Sequence, residues 1–263
     1  GPFQDAAFRG SVYRLEDLVL DVPSLVATLA ERHREAIFQI DWRDASLIND
    51  AGRVSLATGG ITIESQRIVL TAGIGNEQLI SQCGGSGPAM QRRPLQQVIV
   101  KHRYTEPLYA HCMGGNAAPR LTISSHRTAD GQAVWYLGGD LATAGVDDAP
   151  DALIAKAKTE LAELFPWLNF SDSQWATVKL DRGEPRQSTL LKPDEAFVAS
   201  VEGVDNVIAA WPTKLTLGPD LGDKLQQQLQ RDGVSPRHQP ALELLAQHPT
   251  PPIATPYWET LFS

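Results

Sequence analysis

The stretch RIVLTAGIGNEQLI, residues 67–80, comes closest to a ligand-binding signature. A β-rich run delivers the chain into Gly73-Ile74-Gly75, two of the three glycines of the phosphate-binding pattern G-x-G-x-x-G. In that pattern the third glycine lets a helix pack closely and the helix N-terminus receives a pyrophosphate. An acid about 20 residues on takes the ribose hydroxyl. Here Gln78 holds the third position, Cys83-Gly84-Gly85-Ser86-Gly87-Pro88 stops any long helix, and residues 91–97 read QRRPLQQ with no acid. A true dinucleotide fingerprint is therefore disfavoured here. Zinc chemistry needs closely spaced ligand pairs, and of His102, His111, Cys112 and His126 only His111 and Cys112 adjoin. Neighbours on a strand face opposite ways, so no metal is expected. No G-x-S-x-G is present, and GGSGP lacks a following helix, so a serine nucleophile has no support.

The elements that must position any such residues follow from periodicity. DVPSLVATLAERHREA reads as a helix, with Asp21 able to cap it, Pro23 in its first turn, and Leu25, Leu29 and His33 at helical spacing. AIFQIDW alternates as a short strand. The next segment is a β-meander, turning at Asn49-Asp50-Ala51-Gly52 and at Gly59-Gly60. LQQVIVKHR, RLTISSHR and AVWYLGG read as strands, the last two joined by a turn at Asp130-Gly131. Leu121, Ile123 and Ser125 are expected on one face, with Thr122 and Ser124 on the other. Asp148 and Pro150 open a helix over residues 152–164. ATVKLDRG, AFVASVEG and NVIAAWP are further strands, and a third helix spans residues 219–231. The proline-rich tail carries a helical turn at 242–246, and its Trp258 and Phe262 are suited to plugging a groove. The fold class is α+β with a large mixed or mostly antiparallel sheet.

The 263 residues suffice for one large or two small domains. A net charge of -8 argues against nucleic acid as a partner. No apolar run approaches the roughly 18 residues of a membrane span. Two cysteines make no disulfide framework and suit a reducing compartment, so a cytoplasmic location is expected. The opening Gly1-Pro2 is not a natural initiator, so location rests on composition alone.

Four segments, in their order, resemble the FAD-dependent oxidoreductases of the D-amino-acid oxidase, glycine oxidase and glycerol-3-phosphate dehydrogenase group. YRLEDLVLDVPSLVATLAE resembles the helix entering the second half of that group's cofactor domain, and SQRIVLTAGIGNEQLI its return strand. RRPLQQVIVK resembles the crossover into the substrate domain, with Gln97 where a glycine-rich turn is usual. VDNVIAAWPTKLTLGPDLGDKL resembles the closing strand and helix under the flavin. The resemblance covers residues 13–230. It implies the rear part of a glutathione-reductase-like FAD domain at 1–94, a substrate-binding domain at 95–203, the closing strand and helix at 204–232, and a proline-rich tail at 233–263. The group's N-terminal glycine-fingerprint unit would precede Phe3, so the chain is expected to be a truncated oxidoreductase, inactive alone and unable to retain FAD.

The resemblance also implies residue roles. Ala72 and Gly73 would pass the cofactor, as would Thr213, Lys214, Leu215 and Thr216, although the group usually has glycines where Pro212, Thr213 and Lys214 stand. The rival reading of that loop is a plain connection with one surface lysine. Arg182, with Arg186 second, matches the group's clamp for a substrate carboxylate, a task suited to the guanidinium fork. The rival there is a surface arginine paired with Asp181 or Glu184. Tyr109 and His111, two apart on a strand, would line the substrate pocket; for His111 the rival is a satisfied core histidine. No catalytic acid or base is assigned, because hydride transfer to flavin needs alignment of a small-molecule substrate above all. The implied function is oxidation of a small amine- or hydroxy-acid. The alternative is a non-catalytic ligand-binding or regulatory module that keeps the substrate-domain fold; a nicotinamide dehydrogenase is disfavoured by the incomplete glycine pattern.

Overall fold

The computed structural model describes residues 8–16, 18–186, 195–235 and 242–262. In chain order the helices are α1 (Val22–Arg32), α2 (Asn76–Gln82), α3 (Asp140–Ala144), α4 (Pro150–Leu164), α5 (Gly218–Arg231) and α6 (Tyr257–Thr260). The strands are β1 (Ser46–Asp50), β2 (Arg53–Thr58), β3 (Ile61–Ile63), β4 (Ile68–Leu70), β5 (Met90–His102), β6 (Ala110–Met113), β7 (Pro119–Arg127), β8 (Ala133–Gly138), β9 (Gln174–Pro185), β10 (Phe197–Ser200) and β11 (Val207–Trp211). The mixture of helices with mainly antiparallel sheets is α+β. By contact the chain divides into two units: Gly1–Glu31, Pro94–Leu180 and Ile253–Ser263 form one, and Arg32–Arg93 with Asp181–Pro252 the other. This grouping differs from four consecutive blocks, because it joins residues 1–31 and 253–263 to 94–180.

The first unit is built on a five-stranded sheet in the order β6-β7-β8-β5-β9. Period-two alternation sends Val98, Val100, Leu121, Ile123, Trp135 and Leu137 to one face. There they bury against Leu153, Ala157 and Leu161, one per turn along α4. Pro150 starts α4, where its missing N–H costs nothing. β7 and β8 pair antiparallel, Thr122 opposite Gly138 and Ser124 opposite Tyr136, through a turn closed by Gly131 N donating to Thr128 O at 2.8 Å. On the other face Ile99, Val134, Tyr136, Val178 and Leu180 meet Trp258, Leu261 and Phe262. The tail aromatics therefore do plug a groove. Trp258 stacks on His126, ring centroids 4.1 Å apart.

The second unit holds two three-stranded sheets, β1-β2-β3 and β10-β11-β4. The meander forms at the expected turns, Asn49 Oδ1 accepting from Gly52 N at 2.9 Å. Asn206, buried at the start of β11, ties the two sheets together. Its Oδ1 accepts from Val54 N and its Nδ2 donates to Val54 O, both at 2.8 Å. Residues 37–42 are a correction: AIFQIDW alternates but forms no strand. Among the described residues Gln39 N to Pro249 O, at 2.8 Å, is its one backbone bond to a distant segment, and alternation without a partner ladder cannot make a sheet. The short helix α3 was not expected from the sequence; α1, which was, buries none of its residues.

Candidate functional site

The two units carry separate groups of candidate residues. In the second unit, β4 and β11 run parallel, Ile68 beside Val207 and Leu70 beside Ala209, so both carboxyl ends emerge on the same side. Open sheets bind ligands beyond such ends. Two side chains lock the emerging segments together. Asn76, fully buried at the start of α2, accepts from Ala72 N at 2.7 Å and donates to Ala210 O at 3.2 Å. Trp211 Nε1 donates to Gly73 O at 2.9 Å. Ala72 and Gly73 are thus held against the end of β11, and Gly73, at φ 58°, has open space where a side chain would stand.

After β11, Thr213 adopts φ 60°, rare for a β-branched residue and costing on the order of 1–3 kcal/mol. Lys214 N donates back to Pro212 O at 2.7 Å and closes a three-residue turn. A single 3₁₀ turn, Leu215–Leu217, then leads into α5. Thr213, Lys214, Leu215 and Thr216 therefore form a tight turn at a strand end, leading through one further turn to a helix N-terminus. The Lys214 amide is already engaged, which leaves the first amides of the 3₁₀ turn as backbone donors.

Arg182 stands on β9 in the same unit. The expected rival pairings do not form: Asp181 faces Arg92 at 3.5 Å, and Glu184 is bound by Arg93 and by Gln91 Nε2 at 2.8 Å. Among the described residues the exposed Arg182 guanidinium has no carboxylate partner, only a long contact from Nε to Arg93 O at 3.4 Å. Beside it, Gly183 is pressed so close to the Gly73–Gly75 turn that a Cβ there would lie 2.6 Å from Ile74 Cα. The fold thus brings the strand of Arg182 against the turn that follows β4. Arg186, also exposed, is fixed by its backbone N donating to Ala89 O at 2.8 Å. A shallow cleft of about 540 Å³ next to this turn is lined by Ile74, Glu77, Gln78, Ser81 and Arg92 and includes none of the expected cofactor residues.

In the first unit, Tyr109 is exposed just before β6, and His111 lies within β6, directly opposite Thr122. His111 is exposed, so it is not a core histidine. Tyr109 borders an open cleft of about 610 Å³ shared with Asp21, Glu106, His126 and Trp258; His111 is not part of its lining. Burial lowers the His126 pKa, opposed by Asp21, and pushes the Tyr136 phenol up to about 12. Cys112 faces the core, and burial raises its thiol to about 11, an unreactive setting. Asn76, Trp211 and Gly183 went unnoticed in the sequence, since each acts through a partner far along the chain.

No family model matches the chain. Its sequence is 46% identical, over 261 residues, to a protein of Pseudomonas aeruginosa named a probable FAD-dependent oxidoreductase, PA4991. The crystal structure of that FAD-dependent oxidoreductase superposes with a TM-score of 0.91 at 44% identity, covering 100% of this chain and 70% of that one. The chain belongs to the family of this oxidoreductase. It spans 65% of the length of the curated relative. An iminodiacetate oxidase of Chelativorans sp. BNC1 superposes far more loosely, with a TM-score of 0.46 at 18% identity over 76% of this chain and 51% of that one, and carries no weight. Among the described residues of this family member, no helix is long and apolar enough to cross a membrane, and no group of three or more His, Cys, Asp or Glu is placed to hold a metal ion.

Proposed function

We propose that this chain is the greater part of an FAD-dependent oxidoreductase that oxidises a small amine- or hydroxy-acid, in the manner of the D-amino-acid oxidase and glycine oxidase group. The observation that carries the reading is the pair of parallel strand ends in unit two, stitched by Asn76 and Trp211, in a chain 44% identical to a solved FAD-dependent oxidoreductase. The residues present fit such a cofactor: Gly73 leaves open space beside the backbone, and among the described residues the first two amides of the 3₁₀ turn, those of Leu215 and Thr216, make no backbone hydrogen bond. Ala72, Gly73, Thr213, Lys214, Leu215 and Thr216 would hold the flavin edge, and bound FAD would supply the acceptor for a hydride from the substrate.

The chain's own residues then bind and orient. Arg182, free of any carboxylate partner among the described residues, would grip a substrate carboxylate with two parallel N–H···O bonds. Gly183 and Glu184 would keep its strand from shifting. Tyr109 and His111 would contribute polar contacts from their strand. The deciding measurement is an anaerobic absorption spectrum of the protein extended to the length of its relative. A flavin band bleached by a small amine- or hydroxy-acid supports the reading. A band that no such acid bleaches would favour a binding module instead.

A further inference from the structure

On the face of the five-stranded sheet opposite α4, Trp258, Leu261 and Phe262 of the C-terminal segment lie on Ile99, Val134, Tyr136 and Val178, and Trp258 also stacks on His126. One row of that face is polar. His111 stands opposite Thr122, and Thr122 opposite Gly138, so β6, β7 and β8 line up at this level. Gln97 of β5 closes the row. A Cβ on Gly138 would lie 2.7 Å from Thr122 Oγ1 and 3.4 Å from Gln97 Nε2. The glycine therefore lets a hydroxyl and an amide lean in from the two neighbouring strands over one backbone position. Thr122 and Gln97 are half-buried, and among the described residues their side chains make no hydrogen bond. Two polar groups converging over one backbone position, with no protein partner among the described residues, offer a donor and acceptor pair to a ligand.

We infer that Gln97 and Thr122, converging over Gly138, form a subsite for the uncharged hydroxyl of a ligand. A hydroxyl can accept from the Gln97 amide and donate to Thr122 Oγ1, using both at once. An ammonium would have to turn the Gln97 amide so that its Oε1 accepts, and this row supplies no carboxylate to offset the cost of desolvating the charge. The subsite thus favours hydroxy acids over amino acids. It deepens the proposed reaction and rests on that reading for the ligand's class, but binding here involves no flavin, so the two can fail separately.

The test uses the 263-residue chain labelled with ¹⁵N. The Gln97 side-chain amide signal is assigned by its loss in Gln97→Leu and titrated with lactate, alanine and propionate, three acids of one carbon skeleton. Lactate is expected to shift this signal and to bind at least tenfold more tightly than alanine or propionate. Thr122→Val, which keeps a β-branched side chain, should erase the advantage while the rest of the spectrum stays native, and Gly138→Ala, whose Cβ would lie 2.7 Å from Thr122 Oγ1 and force that hydroxyl to turn away, should erase it too. A Gln97 signal unmoved by lactate, equal binding of lactate and alanine, or an undiminished lactate preference in a folded Thr122→Val would overturn the assignment. The redox reading would still stand or fall on the flavin spectrum.

Discussion

At the scale of single residues, His102 shows how burial sets a charge state. Its Nδ1 accepts from Tyr104 N at 3.1 Å, which fixes the neutral tautomer, while Nε2 is buried without a partner among the described residues and Trp135 packs 4.6 Å away. Burial lowers its pKa from 6.5 to about 4. The unfolded chain therefore binds the extra proton first, and stability should fall as pH drops from about 6.5 toward 4, then level off. The loss attributable to His102 is on the order of 3 kcal/mol at most. Urea titrations of the chain and of His102→Gln at pH 7 and pH 4.5 check this: the variant should lose less stability on acidification. The same scale holds Arg182, whose neighbours Asp181 and Glu184 are occupied by Arg92 and Arg93. In the flavin-loaded protein of relative length, Arg182→Lys should raise KM for acidic substrates by roughly ten- to a hundredfold, equivalent to the 1.5–3 kcal/mol of a charged hydrogen bond. Unchanged kinetics would remove Arg182 from the site.

Elements are held by contacts that no local pattern contains. β4 has three residues, and its end is placed by Asn76 and Trp211 rather than by its own ladder. Asn76→Ala would strand the Ala72 amide and the Ala210 carbonyl in the interior, which should cost about 2–4 kcal/mol. Hydrogen exchange at Ala72 and at β11 should then accelerate before the five-stranded sheet loosens; uniform acceleration across both units would argue against a local staple. In the other unit, α4 is anchored by Leu153, fully buried against the sheet. Leu153→Ala should destabilise that unit by about 2–5 kcal/mol, read as a lower denaturation midpoint.

For the molecule as a whole, the question is what 263 residues can bind. Within them no segment completes the glycine pattern that cradles a dinucleotide phosphate, and α2, which follows Gly73-Ile74-Gly75, has only seven residues. The contacts proposed for Ala72, Gly73, Thr213, Lys214, Leu215 and Thr216 reach a flavin edge alone, and binding must first offset the entropy of association. Each unit nevertheless has its own buried core. These 263 residues purified with excess FAD should be folded and colourless, while the protein extended to its relative's length should be yellow. Stoichiometric flavin on the shorter chain would require GIGNEQ to be reconsidered as a phosphate loop.

Much of this was legible in the amino-acid order, because local rules fix local structure. The β-meander follows from two glycine turns, α4 from Pro150 and its apolar spacing, and the β7–β8 hairpin from Asp130-Gly131 and strict alternation. The FAD-dependent oxidoreductase family was visible in the order of four loosely matching segments. Other features were decided only when distant segments met. AIFQIDW alternates like a strand but finds no partner ladder, and α1 is amphipathic in pattern yet buries nothing among the described residues. Whether Arg182 pairs with its acidic neighbours depended on Arg92 and Arg93, about 90 positions away, reaching those acids first. The meeting of Gln97 and Thr122 over Gly138 depended on strand register. Spacing along a chain sets which way a side chain points; which partner stands opposite is set by pairing between segments that the sequence keeps apart.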